Sequence, residues 1–389
     1  MKSSVFTRLK FLSLSAMRIS SPNPPVGAVI TDLEGNILAE GFTQESGGNH
    51  AEREAYKNFK ENIPHEIYIT LEPCTHFGKT PPCIDLLLEK RPKKVYLGIR
   101  DPNPLIQLRD GIYELQKAGI EVEFNANLQK ISRAFLGGFL KRIIKQKPKW
   151  FIKVAVSKEG YYTNKERDSF RMTSQETDNF FQALRSRMDA IVVGPYTTYK
   201  DSPSLDYRGY TRYENSNSTV VDVFYSAFYD SIYSNETIPI PDDTHQPYRV
   251  FVISSKTFPS KEFFEKQNQI NQRTQTKKCI FFALETLSPE QEKQLLELTN
   301  IPIQYVDESS LKEKLESFLY SLGCLHVLIE GGNLLYKMFT SDIDYSDEII
   351  LIHTQTSISK GIIPKIPFTK MRIRDRFTIS NDTINILYR

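Results

Sequence analysis

The sequence predicts an α/β protein built as two domains, and three observations carry that prediction. At 389 residues the chain is longer than one ordinary hydrophobic core encloses. Apolar strand-like runs alternate with helical stretches through both halves, the pattern of sheets covered by helices. Between the halves a basic stretch runs from Lys141-Arg142 to Lys149 and contains Pro148, which reads as a helix end followed by a linker. The domains are expected at 1–147 and 148–389. As a charge run, 141–149 is expected to be a solvated face rather than a partner site.

Bulk composition narrows the function classes. Apolar residues make up 40% and aromatics 12%, enough for packed cores and contrary to disorder. A net charge of +3 supplies no basic stripe, so a nucleic-acid partner is not expected. Four cysteines in a chain this long are too few for a disulfide scaffold, which favours a reducing, cytoplasmic compartment. Of these, Cys279 and Cys324 are expected as buried core thiols. No run approaches the ~18 apolar residues of a membrane span, so no membrane partner is expected either.

The elements follow in order. Lys2, Arg8, Lys10 and Arg18 precede the first acid, Asp32, a composition shared with transit peptides. The preferred reading is an amphipathic first helix that sets Val5, Leu9, Leu12 and Met17 against the first sheet. The segment 21–27 is a proline-stiffened loop entering a strand at 26–30, with a turn at 32–36 and a return strand at 37–42. A helix is expected at about 50–59, a buried strand at 65–71, and a further loop and helix opened by Glu72-Pro73-Cys74 and continuing through 84–89. A strand at 94–99, a helix at 111–118 and a strand at 120–124 complete the first domain.

Beyond the linker, 150–156 reads as a strong strand. A helix at 174–187 is opened by a Thr173/Ser174 cap with Glu176 close behind, and 189–194 is a buried strand. Residues 209–247 are rich in Tyr, Ser, Asn and Asp without a clear period, and are expected to form an inserted loop or flap. Strands at 249–254 and 278–283, helices at about 290–298 and 311–322, and a strand at 327–330 follow. This alternation predicts a largely parallel sheet.

Chemistry concentrates between His50 and Cys83. One imidazole and two thiols, His50, Cys74 and Cys83, make the three-ligand set of a catalytic zinc that keeps a position for water. Glu52, two residues after the histidine, can serve that water as a base without being a ligand. The order His-x-Glu, then Pro-Cys, then Cys is that of zinc-dependent base deaminases, with eight residues between the cysteines instead of two. Helix N-termini at His50 and after Cys74 would favour anionic charge there. In the second half Glu330-Gly331-Gly332-Asn333 ends a strand and starts a helix, where backbone N–H groups can approach a phosphate. No G-x-G-x-x-G follows an early strand, so this is not a Rossmann fingerprint.

Ser21-Pro22-Asn23-Pro24, His50-Ala51-Glu52, the run Leu71 to Cys83 with Thr80-Pro81-Pro82-Cys83, and Asp101-Pro102-Asn103-Pro104 resemble the bifunctional riboflavin-biosynthesis deaminase–reductase family. The resemblance continues through Lys153, Leu184-Arg185, the run Asp189 to Gly194, Thr197, the run Asp201 to Leu205 with Arg208, and Glu330-Gly331-Gly332. It implies an N-terminal cytidine-deaminase-like three-layer α/β/α domain and a C-terminal dihydrofolate-reductase-like α/β domain. It also implies zinc-dependent hydrolysis of the 2-amino group of a small pyrimidine nucleotide, then NADPH-dependent reduction of its ribosyl side chain.

By matched position the resemblance places zinc on His50, Cys74 and Cys83, proton transfer on Glu52, and deaminase substrate contacts on Asn23, His76, Lys79 and Thr80. For the reductase it implies substrate contacts at Lys153, Ser169, Arg185, Leu205, Arg208 and Glu330. NADPH contacts are implied at Thr197, Asp201, Gly332, Asn333, Leu334, Leu335, Tyr336, Lys337 and Met338. Arg185 and Arg208 are chemically suited to a ribose phosphate. The chain departs from the family at Thr43, usually histidine, at Lys158-Glu159 in a usual Ser-Leu-Asp-Gly, and at Arg171, usually tryptophan. The departures at Lys158, Glu159 and Arg171 motivate an alternative in which only the deaminase works and the second domain is structural or dimerising. A base editor of nucleic acid would need a basic groove and stacking aromatics near His50, against which the near-neutral charge argues. The reading leaves room for a homo-oligomer.

Overall fold

The computed structural model describes residues 4–60, 63–106, 108–164, 171–213, 218–233 and 245–389. The chain divides into two compact units, Met1–Gln146 and Lys147–Arg389.

In the first unit the elements run α1 (Val5–Ala16), β1 (Gly27–Thr31), β2 (Ile37–Phe42), α2 (Ala51–Asn58), β3 (Glu66–Leu71), α3 (Cys83–Lys90), β4 (Lys94–Ile99), α4 (Gly111–Lys117), β5 (Glu121–Phe124), α5 (Ala126–Phe135) and α6 (Gly137–Lys145). The sheet has the order β2-β1-β3-β4-β5. β1 is antiparallel to both of its neighbours, and β3, β4 and β5 are parallel. Helices α1 and α5 pack together on one layer, and α2, α3 and α4 form the other. The first helix forms as expected, capped by Ser4, with Leu9 and Leu12 buried, but it is not one-faced: every residue from Phe11 to Met17 is buried, and Val5 is only half-buried. The β1–β2 turn is set by Asp32, whose Oδ1 accepts the N–H groups of Glu34 (3.1 Å) and Asn36 (2.7 Å).

Gly41 decides how closely α2 lies on the sheet. A side chain there would stand 2.4 Å from the Ala55 nitrogen and 2.6 Å from the Ala51 carbonyl oxygen. Only glycine lets β2 and α2 approach so far, and α2 carries the residues that matter.

In the second unit follow β6 (Lys149–Val156), β7 (Thr163–Asn164), α7 (Gln175–Arg185), β8 (Ala190–Val193), α8 (Pro195–Asp201), α9 (Val223–Tyr233), β9 (Tyr248–Ile253), α10 (Lys261–Thr274), β10 (Cys279–Ala283), α11 (Pro289–Leu296), β11 (Gln304–Tyr305), α12 (Leu311–Ser321), β12 (His326–Ile329), α13 (Asn333–Thr340), β13 (Glu348–His353), β14 (Gly361–Ile362), β15 (Arg372–Ile379) and β16 (Asp382–Tyr388). The large sheet runs β11-β10-β9-β8-β12-β6-β13-β16-β15. It is parallel as far as β13, as expected, and ends in an antiparallel pair that closes one edge. Trp150, Ile152, Val192, Val252, Leu315 and Ile329 belong to its core, and Cys279 and Cys324 are buried thiols.

Two expectations are corrected. The stretch 141–149 is not a solvated face throughout: Lys141 and Lys149 are buried. Lys149 starts β6, and its ammonium pairs with the buried Glu348 of β13. The described part of 209–247 is not a loose flap either. It contains α9, whose Phe224, Tyr225, Phe228, Tyr229 and Ile232 are buried. Its half-exposed positions Val223, Ser226, Asp230 and Tyr233 do recur at helical spacing, but the stripe spans only 11 residues inside a longer Tyr-, Ser- and Asn-rich stretch, which is why it looked patternless.

Candidate functional site

A cavity of about 380 Å³ opens in the first unit, lined by Asn23, Thr43, His50, Glu52, Cys74, His76, Lys79 and Thr80 among others. His50 is the N-cap of α2, with extended backbone (φ −71°, ψ 162°), and Glu52 falls in the first turn. Cys74 is not on a helix, contrary to expectation. It sits in the loop after β3, and the cysteine at the helix start is Cys83, the first residue of α3. The electrostatic consequence is the one foreseen, because the Cys83 backbone N–H donates to Cys74 Sγ at 3.3 Å.

Both sulfurs lie 3.5 Å from His50 Nδ1, and the three ligand atoms all stand within 4.8 Å of one another. A tetrahedral zinc with ordinary bond lengths separates its sulfur and nitrogen ligands by about 3.6 Å. The donor set and spacing fit that ion. Thr80 Oγ1 stands 3.5 Å from His50 Nε2, which turns Nδ1 toward the sulfurs. His76 Nδ1 is buried without a hydrogen-bond partner among the described residues, leaving a polar atom for a ligand.

Hydrogen bonding from Cys83, with His50 adding to it, lowers the Cys74 pKa to about 4. The bond to Cys74 and then burial push the Cys83 thiol up. His50 is raised chiefly by its bond to Cys74. Glu52, only 4% exposed, is raised by burial, with His50 opposing. A carboxyl so placed can take a proton and give it back.

The wall also holds Asp101 and Glu72, to which the sequence reading assigned no site role. Asp101 Oδ1 accepts the Asn103 N–H at 2.8 Å, and burial raises its carboxyl to about 6. Glu72 accepts Arg100 at 2.9 Å and the Asp101 N–H at 3.1 Å. The signal was a polar pair stiffened by prolines just past a strand end. Thr43 is buried on the wall, its Oγ1 accepting the Val26 N–H at 3.3 Å. Lys79 reaches across to Ser46 Oγ at 3.3 Å.

A larger cavity of about 600 Å³ lies in the second unit. Of the expected residues, Lys153, Thr197, Asp201, Glu330, Gly332, Asn333, Leu334 and Tyr336 line it. Gly331 and Gly332 take φ of +148° and +100°. A Cβ on Gly332 would stand 3.1 Å from Gly194 Cα, so glycines draw the ends of β8 and β12 together. This is the carboxyl edge of neighbouring parallel strands, where α/β sheets commonly bind nucleotides. Burial lowers the Lys153 pKa, opposed by Glu330, and the ammonium stacks 4.7 Å from the Phe181 ring centre.

Other expected residues are placed elsewhere. Arg185 is turned into a two-pronged pair with Glu330, so it is not free for a phosphate. Burial alone would raise the Glu330 pKa, and Arg185 outweighs it and holds it low. Leu205 and Leu335 are buried, and Met338 packs on the core. Lys337 is exposed, and Arg208 is an exposed side chain 3.7 Å from Asp206. None of these lines the cavity. Ser169 lies outside the described residues. Arg171, the departure from tryptophan, does line it and pairs with Asp178 at 2.6 Å. Tyr162, Lys200 and Lys365 complete the wall without any local sequence signal.

Among the described residues no helix is long and apolar enough to cross a membrane. Residues 3–99 match the cytidine and deoxycytidylate deaminase zinc-binding region, and residues 148–375 match the RibD C-terminal domain. The chain is similar to riboflavin biosynthesis protein RibD of Actinobacillus pleuropneumoniae, 39% identical over 49% of this chain and 50% of that one. The Aquifex aeolicus protein of that name is 36% identical over 51% of this chain and 55% of that one. These matches span about half the length of each relative. The Chlamydia trachomatis protein is 29% identical over 82% of this chain and 75% of its own. Among solved structures, an Acinetobacter baumannii RibD superposes with TM-score 0.74 at 24% identity, over 98% of this chain and 97% of that one. A Thermotoga maritima diaminohydroxyphosphoribosylaminopyrimidine deaminase/5-amino-6-(5-phosphoribosylamino)uracil reductase does so with TM-score 0.72 at 24% identity, over 98% and 96%. At that identity the likeness establishes the fold: a cytidine-deaminase-like unit followed by a RibD C-terminal, dihydrofolate-reductase-like unit.

Proposed function

The chain belongs to the RibD family, and on that premise we propose that it carries two activities of riboflavin biosynthesis. The first hydrolyses the exocyclic 2-amino group of 2,5-diamino-6-ribosylamino-4(3H)-pyrimidinone 5′-phosphate. The second reduces the ribosyl side chain of the deaminated product to ribityl with NADPH. The observation that carries the reading is His50, Cys74 and Cys83 converging around one point, with the buried Glu52 on the same cavity.

In the proposed deaminase, His50 Nδ1, Cys74 Sγ and Cys83 Sγ would hold a zinc ion, which would supply a water made more acidic for hydrolysis. Glu52 takes one proton from the attacking water and gives it to the ring nitrogen, then takes the second from the new hydroxyl and gives it to the amine as the carbonyl forms and the C–N bond breaks. One water is consumed and one ammonia leaves. Asn23, His76, Lys79 and Thr80 orient the nucleotide, joined by Asp101 and Asn103 on the same wall.

In the proposed reductase, NADPH supplies hydride to the sugar carbon. The chain's part is to hold the two ligands together. Thr197, Asp201, Gly332, Asn333, Leu334 and Tyr336 receive the cofactor, while Lys153 and the Arg185-braced Glu330 stand at the substrate.

The test is an NADPH-oxidation assay on purified chain given the deaminated ribosylamino substrate, with ammonia release followed in a parallel tube holding the diamino substrate. NADPH loss in both tubes and ammonia in the second is the expected result. Ammonia without NADPH loss would overturn the reductase half, and no ammonia would overturn the deaminase half.

A further inference from the structure

Arg53 stands in the first turn of α2, three residues after His50 and one after Glu52. A helix dipole disfavours a cation at that end, so local chemistry does not account for an arginine there. Its contacts do. The half-buried side chain crosses to the loop before α3. There Nε and Nη2 donate to the Pro81 carbonyl at 3.3 and 3.0 Å, and Nη2 donates to the Pro82 carbonyl at 3.1 Å.

Those two residues are hard to hold in any other way. Proline has no backbone N–H, so Pro81 and Pro82 offer the fold only their carbonyls. Pro82 is also the N-cap of α3 and gives that helix no side-chain cap. Cys83 follows directly as the first residue of α3, and the direction of its sulfur depends on where the preceding peptide is fixed. A planar guanidinium, with its donors in a rigid fork, fixes both carbonyls at once.

We propose that Arg53 is a positioning residue of the metal site, setting the separation of His50 and Cys83 by tying the start of α2 to the start of α3. The inference rests on the zinc reading of His50, Cys74 and Cys83. His50 is the N-cap of the helix that carries Arg53, and Cys83 Sγ lies 3.5 Å from its Nδ1. Cys74 follows Cys83, because its Sγ accepts the Cys83 N–H and its carbonyl accepts the Ile84 N–H at 3.2 Å. All three ligands therefore depend on the register of two helix starts. The 3.5 Å contact of Thr80 Oγ1 with His50 Nε2 also joins the two segments, and it is longer than any of the three arginine bonds. Arg53 does not line the cavity, so its influence on the reaction passes through the ligands.

The experiment uses the full chain as wild type, Arg53→Ala, Arg53→Met and Arg53→Lys. Methionine keeps an apolar stem without donors, and lysine keeps a donor for one carbonyl. Zinc affinity is measured by competition with a chromogenic chelator. The cobalt-loaded chain gives the thiolate-to-metal charge-transfer bands, and urea unfolding is followed on the zinc-free chain. Arg53→Ala and Arg53→Met should bind zinc about 10–100-fold more weakly, with altered cobalt bands, an unchanged urea midpoint and partial recovery in Arg53→Lys. Wild-type affinity in the alanine and methionine variants overturns the proposal. A loss confined to alanine does so too, since it assigns the effect to packing of the stem. A loss matched by a fall in the urea midpoint makes Arg53 a support of the fold and also overturns it. If the alanine variant does not fold, the methionine and lysine variants carry the comparison. A wild type that binds no zinc overturns the zinc reading itself, and this inference with it.

Discussion

Glu52 is the residue whose burial has the most direct chemical use. Its carboxyl is raised by loss of water and lies beside, not within, the ligand set. Glu52→Gln keeps the shape and removes the proton carrier. The expected outcome is a fall in kcat for ammonia release of roughly 10²–10⁴-fold, with zinc per chain by atomic absorption unchanged. Loss of the metal as well would show that Glu52 assembles the site rather than serving it. A second residue makes the fold acid-sensitive. His326 is buried on β12 with both ring nitrogens lacking hydrogen-bond partners among the described residues. Burial, and then the charge of Lys149, hold its pKa at about 3. An unfolded imidazole titrates near 6.5, so the unfolded chain takes the proton first. Stability should fall as the pH drops from about 6.5 toward about 3 and level off below. Glu348 is held at about 2, because Lys149 and Arg374 outweigh its burial. Its own loss of stabilisation begins only below about pH 4.5. Comparing pH 7 with pH 5 keeps Glu348 out of the difference, and groups that do titrate there, such as Asp101 near 6, cancel between wild type and His326→Leu. Wild type should lose about 2 kcal/mol more than His326→Leu over that interval in urea unfolding. Equal losses would sink the assignment.

At the scale of elements, α9 shows what periodicity misses. Phe228 is fully buried, with ring centres 5.0 Å from Phe224 and 6.4 Å from Phe180 of α7. If α9 is core, Phe228→Ala should cost about 3–5 kcal/mol in urea unfolding, whereas a flap would tolerate the change almost freely. The sequence read well wherever one face differs from the other or a cap marks an end. α1, the β1–β2 hairpin and the parallel strands all announce themselves through alternation or capping. It read poorly where the signal is short and diluted, as in α9, whose half-exposed Ser226 and Asp230 are set among aromatics inside a stretch rich in Tyr, Ser and Asn. The two cavities divide along similar lines. The metal-ligand set was legible because its ligands are soft, few and framed by prolines within 34 residues of chain. The larger cavity was only half legible, because Lys153, Arg171, Lys200, Gly332 and Lys365 are joined by the fold and not by any local pattern. Arg185 misled for a related reason: sequence shows a cation but not that Glu330 already occupies it.

At the scale of the molecule, each unit has its own sheet, its own core and its own cavity. Every residue lining the smaller cavity precedes Gln146, and every residue lining the larger one follows Lys147. Chemistry at one should therefore be removable without touching the other. Cys83 is the place to cut. It is fully buried, begins α3, and steadies Cys74 through its own N–H. A serine there exchanges a soft sulfur ligand for a weak hydroxyl and leaves zinc two protein ligands of the three it needs. In Cys83→Ser the metal content should drop below about one-tenth of wild type, and ammonia release should fall with it. NADPH oxidation on the deaminated substrate should stay within about twofold of wild type, since the two cavities share no lining residue. Chelating zinc from the wild type should reproduce both effects. If reduction falls in parallel with deamination, the two activities do not reside in separately working units, and the division of labour argued from the two cavities fails.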